Sequence, residues 1–161
     1  MPNGPLLEMK QICKRFPGVQ ALRNVSIAVC GGEIHALIGE NGAGKSTLMK
    51  ILAGVYPADS GEIYLNGHRV KISNLQEAQK LGISIIFQEF NLIPHISIGE
   101  NIFFGRFPQG FCGRVNWDKL FNDAKQILTS LEIGLDPRSL IKDLSVADQQ
   151  MVEIAKALSL Q

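Results

Sequence analysis

One segment constrains the fold of this chain more than any other, because its spacing is that of a phosphate-binding loop: two glycines separated by four residues, followed by Lys and Ser. The segment runs from residue 39 to residue 46, and Thr47 follows it directly. Its residues, with Thr47 included, are Gly39, Glu40, Asn41, Gly42, Ala43, Gly44, Lys45, Ser46 and Thr47. The glycines allow successive backbone N–H groups to turn toward phosphate oxygens. Lys45 can reach the outer phosphates, the Ser46 hydroxyl can ligate Mg²⁺, and Thr47 supplies one more hydroxyl. The segment therefore predicts a nucleotide-phosphate site.

The flanking sequence supports this interpretation. Residues 33–38 form an apolar run that predicts a buried strand, and residues 45–53 predict a helix closed by Gly54. The N-terminus of that helix would point at the anion. A glycine-rich turn that binds nothing could also join a strand to a helix, but the motif in this context favours phosphate binding.

Composition narrows the class of protein. The chain has 161 residues, of which 45% are hydrophobic, as expected for one ordinary globular domain. Its net charge of +1 comes without a basic or acidic block, which gives no reason to expect nucleic acid as a partner. Cys13, Cys30 and Cys112 lack metal-site or redox spacing and predict reduced thiols. No apolar run is long enough for a membrane helix, so we expect a cytosolic location.

The first half of the chain predicts several strands. Residues 6–12 and 21–30 alternate apolar and polar side chains, and a turn that follows Phe16 separates them. Phe16 could pack beneath this turn or stack on an adenine ring, and the sequence leaves both open. A further strand at 62–65 is followed by a hairpin turn, Asn66-Gly67.

A helix is predicted near residues 75–81, and the β-branched run 83–87 predicts a second buried strand. Gln88 follows that run directly. Open α/β sheets place ligand groups just beyond such strands, although a single Gln there is more often an ordinary loop residue.

The second half of the chain is predicted to be helical. Ser97 and Glu100 have capping-box spacing and predict a helix through about Phe104. The loop 105–114 combines glycines, phenylalanines and two arginines. Aromatic residues beside arginines can bind single-stranded nucleic acid, but a flexible connector explains the same composition and is favoured. A long helix follows, with an apolar core face of Trp117, Leu120, Phe121, Ala124, Ile127, Leu128 and Leu131. The last predicted helix is capped by Ser145, with apolar positions at Met151, Ile154, Ala155 and Leu158.

The phosphate loop, Gln88 and the segment 144–158, in this order and spacing, resemble an ATP-binding domain of the ABC-transporter family across essentially all 161 residues. Within that family the chain is most similar to bacterial monosaccharide importers of the ribose, xylose and galactose type. Their signature segment similarly reads Leu-Ser-Val or Ile, then Gly or Ala, before the glutamines and Met-Val-Glu-Ile-Ala-Lys-Ala-Leu. Residues 15–22 also resemble this subgroup.

The resemblance implies an α/β P-loop NTPase fold, truncated, with a nucleotide-binding core and antiparallel β subdomain over about 1–96 and a helical subdomain over about 97–150. It implies that Phe16 stacks on adenine and that residues 39–47 hold the phosphates of ATP. It also implies that Gln88 contacts Mg²⁺ or the attacking water and couples the site to the membrane subunit.

The resemblance also gives the signature segment a role. Ser145 and the backbone at Ala147 would contact the γ-phosphate of ATP held by a second, facing ATP-binding domain, at the N-terminus of the last helix. This chain departs from the commonest signature, which has two glycines and Gln where Val146, Ala147 and Asp148 stand. Side chains at Val146 and Ala147 should therefore leave less room between the backbone and the γ-phosphate. The Asp148 carboxylate also lies near the place expected for this anion.

The family's next element is a strand that ends in a Mg²⁺-binding Asp and a catalytic Glu, followed later by a switch His, and the 161 residues contain no match to them. We therefore expect no catalytic residue in this chain, with ATP binding but little or no hydrolysis. The absent strand would lie beside the phosphate-loop strand. Without it we expect an exposed sheet edge, lowered stability and a tendency to associate.

The function implied by the resemblance is that of the ATP-hydrolysing subunit of a bacterial sugar importer, with ATP and Mg²⁺ as cofactors. Its expected partners are a membrane-spanning permease, a second ATP-binding domain and, indirectly, a periplasmic sugar-binding protein. Its expected location is the inner face of the cell membrane. Two alternatives are a non-transport ATPase of the same superfamily, acting on ribosomes or DNA, and a nucleotide-binding module without hydrolysis.

Overall fold

The structure is a computed structural model that describes residues 4–88 and 91–160, without the side chain of Cys112. The chain divides into two compact units, Met1–Ile83 and Ser84–Gln161. Cys13 and Cys30 are free thiols, and the prediction for Cys112 lies outside the described side chains.

The first unit is built on an antiparallel sheet. Strands β1 (Leu7–Phe16), β2 (Val19–Val29), β3 (Ser60–Leu65) and β4 (His68–Val70) lie in the order β2-β1-β3-β4. The strands predicted near 6–12, 21–30 and 62–65 are confirmed. The turns of the β1-β2 and β3-β4 hairpins each contain a glycine at positive φ, Gly18 at 80° and Gly67 at 77°. Tight turns need this backbone conformation, which glycine adopts at little cost.

Two helices complete the first unit, α1 (Lys45–Leu52) and α2 (Leu75–Lys80). Both were predicted. Leu48 and Ile51 share one face of α1 and are almost fully buried. They belong to a core that comprises Met9, Ile12, Leu22, Leu48, Ile51, Ile63, Ile72 and Ala78. Burial of this face fixes α1, and with it the loop that precedes α1, on the sheet.

Both predictions of a buried strand in the α/β core were wrong. Residues 33–38 and 83–87 have no strand structure. Ile34 and Ile38 are almost fully exposed, at 102% and 92%. A continuous apolar run forms a strand only when neighbouring strands accept its backbone hydrogen bonds, and in the described residues neither segment is paired in the sheet. We expected residues 33–38 to form a strand with an exposed edge. They form instead an exposed apolar segment without strand structure.

A charge pair joins the end of β1 to the residue before β3. The Lys14 ammonium lies 2.8 Å from Asp59 Oδ1, and the Arg15 backbone N–H donates to Asp59 Oδ2 at 2.6 Å. These hydrogen bonds, the one from Lys14 first, hold the pKa of the Asp59 carboxyl below its usual value.

The lowered pKa of Asp59 predicts a pH-dependent contribution to stability. The contribution is fully present above the unfolded pKa of about 4 and is lost as pH falls through the lower folded pKa. Asp59→Asn should therefore lower the melting temperature at neutral pH, and the difference from the parent chain should vanish near about pH 2. Thermal unfolding across this pH range checks the prediction, and an equal difference at both ends would contradict it.

The second unit is helical. Its helices are α3 (Ile98–Ile102), α4 (Trp117–Ser130) and α5 (Val146–Leu158), with 3-10 turns at Phe111–Gly113 and Ile141–Asp143. The predicted capping box at Ser97 is confirmed: its hydroxyl accepts from the Glu100 backbone N–H, and the Glu100 side chain accepts from the Ser97 N–H. The core comprises Ile98, Ile102, Ala124, Leu128, Ile141, Val152 and Ala155.

Two of the predicted helix faces need correction. Trp117 begins α4 and remains 46% exposed, so the buried part of this face starts at Leu120. On α5, Leu158 is 39% exposed, whereas Val152 and Glu153 are buried. Helical periodicity gives the width of a face but not the direction from which a neighbour covers it. No helix in the described part of the chain is long and apolar enough to cross a membrane.

Candidate nucleotide-binding site

The glycine-rich loop forms a compact turn that leads directly into α1. The Ala43 backbone N–H donates to the Glu40 carbonyl at 3.1 Å. Gly42 has φ of 87°, and Gly44, the N-cap of α1, has φ of 86°. Both angles lie in the left-handed region that glycine adopts at little cost. The two glycines thus turn the backbone from the loop into the helix.

Gly44 also sets how closely the loop approaches the sheet. A Cβ at this position would lie 2.5 Å from the Ala21 carbonyl oxygen and 2.7 Å from Leu22 Cδ2, both on β2. Gly39 is less crowded, since its Cβ would lie 3.2 Å from the Ala43 Cβ. Strand β2 therefore supports the first turn of α1, and only a residue without a side chain fits at Gly44.

The Lys45 side chain folds back over the loop. Its ammonium donates to the Gly39 carbonyl at 2.6 Å and to the Glu40 carbonyl at 2.7 Å. Ser46, beside it in the first turn of α1, is exposed, and Thr47 is half-buried. Helix α1, all of which is described, has no acidic side chain in its first turn.

This arrangement is suited to an anion. The ammonium, the free N–H groups of the first helical turn and the positive end of the helix dipole lie in one place. The exposed Ser46 hydroxyl is a hard oxygen ligand of the kind that Mg²⁺ accepts beside phosphates. The residues present therefore fit a Mg²⁺-bound nucleotide phosphate.

Phe16 is half-buried at the end of β1. Its ring meets the Tyr56 ring edge-on, with centroids 5.3 Å apart and an interplanar angle of 74°. The Lys14 ammonium lies 5.6 Å from the Phe16 ring centroid. The packing that the sequence allowed for Phe16 is thus present, with Tyr56 as its partner, and adenine stacking stays a prediction.

The remaining predicted contacts, Gln88, Ser145 and Ala147, belong to the second unit. Gln88 is exposed, and Ala147 is exposed in the first turn of α5. Ser145 is the N-cap of α5: its hydroxyl accepts from the Asp148 backbone N–H at 3.2 Å and donates to Asp148 Oδ2 at 2.7 Å. The acid anticipated near the signature is therefore bonded to the signature serine itself.

The sequence analysis did not predict the side chains that bind the backbone at Asn91 and Ile93. Glu153, on α5, accepts from the Asn91 backbone N–H at 2.6 Å, and Lys156 donates to the Asn91 carbonyl at 3.0 Å. Asn101, at the C-terminal end of α3, accepts from the Ile93 N–H at 2.7 Å. One feature of the sequence could have predicted the role of Glu153: it stands among the apolar residues Val152, Ile154 and Ala155.

A glycine loop of this conformation, with its lysine folded over it and a helix starting at its end, defines a P-loop protein. The family model described as "ABC transporter" matches residues 22–161. The chain belongs to that family.

Curated relatives match almost all of this chain. It is 54% identical to "Ribose import ATP-binding protein RbsA 1" of Rubrobacter xylanophilus, over 98% of the chain and 31% of the relative. It is 49% identical to "Xylose import ATP-binding protein XylG" of Thermoanaerobacter pseudethanolicus, over 96% of the chain and 31% of that protein. The chain thus spans about a third of the length of these relatives.

A solved structure supports the fold. The chain is similar to a nucleotide-free ATP-binding cassette from an ABC transporter, with a TM-score of 0.81 and 28% identity. The match covers 97% of this chain and 65% of that cassette. The predicted ABC-type ATP-binding fold is therefore confirmed, and the chain spans part of that cassette.

Proposed function

We propose that this chain is the ATP-binding part of an ABC importer for a sugar, in which ATP binding and hydrolysis drive carbohydrate transport across the membrane. The observation that carries the proposal is the Lys45 ammonium, held over the Gly39 and Glu40 carbonyls beside the start of α1. The names of the ribose and xylose relatives support a sugar as the transported solute.

At this site the backbone N–H groups of residues 39–47 would bind the β- and γ-phosphates, and Lys45 would neutralise their charge. Ser46 and Gln88 would supply oxygen ligands to Mg²⁺, which balances charge on the phosphates when bound. Phe16 would offer a ring face to the adenine while its edge contact with Tyr56 holds its orientation.

Ser145 and the backbone at Ala147 would bind the γ-phosphate on a second, facing ATP-binding domain, because they lie at the N-terminus of α5. The permease would be the membrane-embedded partner, at the inner face of the membrane, with a periplasmic sugar-binding protein delivering the solute. As the resemblance to the family implies, we expect this chain to bind ATP without turning it over.

Calorimetric titration with Mg-ATP, with phosphate release followed in the same samples, tests the proposal. Saturable binding without phosphate release by this chain supports it. The protein that carries this segment should in turn hydrolyse ATP faster when its permease and a transported sugar are present. An ATPase rate that is insensitive to the permease would favour the non-transport alternative, and absence of binding by both proteins would contradict the proposal.

A further inference from the structure

Glu153 is a buried carboxylate that the nucleotide contacts do not use. It lies in the middle of α5 and is only 8% exposed. Glu is almost never buried unless it is paired, because removing a carboxylate from water is costly. Its partner here is the Asn91 backbone N–H, at 2.6 Å. The buried Glu153 carboxylate therefore binds the backbone of one residue, Asn91.

Lys156 binds the second backbone polar group of Asn91. Its ammonium donates to the Asn91 carbonyl at 3.0 Å. Positions three apart on a helix lie on the same face, so Glu153 and Lys156 present an acceptor and a donor side by side. Together they bind the backbone N–H and the backbone carbonyl of Asn91, and we call this arrangement the Asn91 clamp. Charge-assisted hydrogen bonds of this kind are stronger than neutral ones.

The position of the clamp in the chain gives it significance. Asn91 lies three positions after Gln88, the predicted contact to Mg²⁺ or the attacking water. Helix α5, which supplies both clamp side chains, is capped by Ser145, a residue of the predicted signature segment. About 12 Å of helix separates Ser145 from Glu153, at 1.5 Å per residue. Because α5 is one continuous helix, its backbone connects the clamp residues to Ser145.

We propose that Glu153 and Lys156 are positioning residues that tie the backbone at Asn91, three positions after Gln88, to helix α5, so that Gln88 is placed for catalysis only when α5 is in place. The inference rests on the proposed function and adds two residues to it. Neither side chain touches nucleotide in this proposal. Both act through the Asn91 backbone, so they should affect turnover more than nucleotide affinity.

The first test measures the clamp without nucleotide. Amide hydrogen exchange at Asn91 should be about tenfold faster in Glu153→Leu, which removes the acceptor at similar volume, and within about threefold of the parent in Glu153→Gln, which keeps an acceptor oxygen. Lys156→Met should loosen the segment and Lys156→Arg should restore it. Lys125→Met, at an exposed position of α4, is the matched control and should leave exchange unchanged.

The second test measures turnover in the full-length importer assembled with its permease. Glu153→Leu and Lys156→Met should lower kcat about tenfold and change KM for ATP by less than about twofold, with Glu153→Gln and Lys156→Arg close to the parent. Unchanged exchange at Asn91, or faster exchange with unchanged kcat, would overturn the proposal. If Glu153→Leu fails to fold, the comparison of Lys156→Met with Lys156→Arg tests the proposal in its place. An ATPase that is insensitive to Lys45→Ala would contradict the proposed function and leave the exchange result intact.

Discussion

Lys45→Ala is expected to weaken Mg-ATP binding by about 100-fold, which corresponds to roughly 2.7 kcal/mol. The Lys45 ammonium lies over the loop, within hydrogen-bond distance of the Gly39 and Glu40 carbonyls. In the complex it would instead face phosphate oxygens, where charge-assisted hydrogen bonds are about twice as strong as neutral ones. Alanine removes this charge without a replacement, so most of the phosphate affinity should be lost.

The same substitution should leave the fold almost unchanged. The two carbonyls that Lys45 contacts belong to exposed loop residues, so water can replace the lost donor. Alanine also has the highest helix propensity and suits the first position of α1. Loss of binding can therefore be attributed to the missing ammonium and not to unfolding.

Lys50→Ala provides the matched control, because Lys50 is the other lysine of α1 and lies in its last turn, away from the loop. Titration calorimetry with Mg-ATP, beside thermal unfolding of all three chains, measures both effects. We expect Lys50→Ala to bind like the parent chain. Equal affinities for the parent chain and Lys45→Ala would show that the loop does not bind the phosphates of ATP.

Short-range signals in the sequence predicted much of the fold. The glycine loop, the Asn66-Gly67 hairpin and the Ser97 cap are each encoded within a few residues, and the structure has all three elements. The strand predictions at 33–38 and 83–87 failed because a strand also needs a partner, which local apolar character does not specify. Residues 33–38 are instead exposed, although they precede the loop.

Long-range contacts at the candidate site were beyond the reach of sequence patterns. Phe16 and Tyr56 meet through the fold of the first unit, although 40 positions separate them. Glu153 and Asn91 are 62 positions apart. Helical periodicity treats Glu153 as a polar interruption, because it cannot show that a backbone N–H lies opposite it. The identity of the loop was thus predictable, whereas these long-range contacts within each unit were not.

Gly44→Ala is expected to lower the free energy of unfolding by about 3 kcal/mol and to abolish most ATP binding. Two separate costs add at this position. The backbone φ of 86° lies in the left-handed region, which costs a non-glycine residue on the order of 1 kcal/mol or more. The added Cβ would also lie 2.5 Å from the Ala21 carbonyl oxygen, a backbone atom that cannot rotate away.

The clash can be relieved only by moving β2 or the start of α1. Ala21 and Leu22 are on β2, and Leu22 is part of the core of the first unit, so a shift of the strand would disturb packed side chains. A shift of α1 would instead displace Lys45 and the N–H groups of the first turn. Either response damages the anion site, so stability and ATP affinity should fall together.

Gly67→Ala separates the two costs, because Gly67 has φ of 77° and nothing within 4 Å of an added Cβ. This control carries only the conformational cost, about 1 kcal/mol, and should bind ATP like the parent chain. Urea unfolding and Mg-ATP titration of the two variants give the comparison. Equal destabilisation by Gly44→Ala and Gly67→Ala would mean that β2 does not constrain the loop. A larger loss at Gly44 would show that contact with β2, in addition to backbone conformation, holds the loop in its phosphate-binding shape.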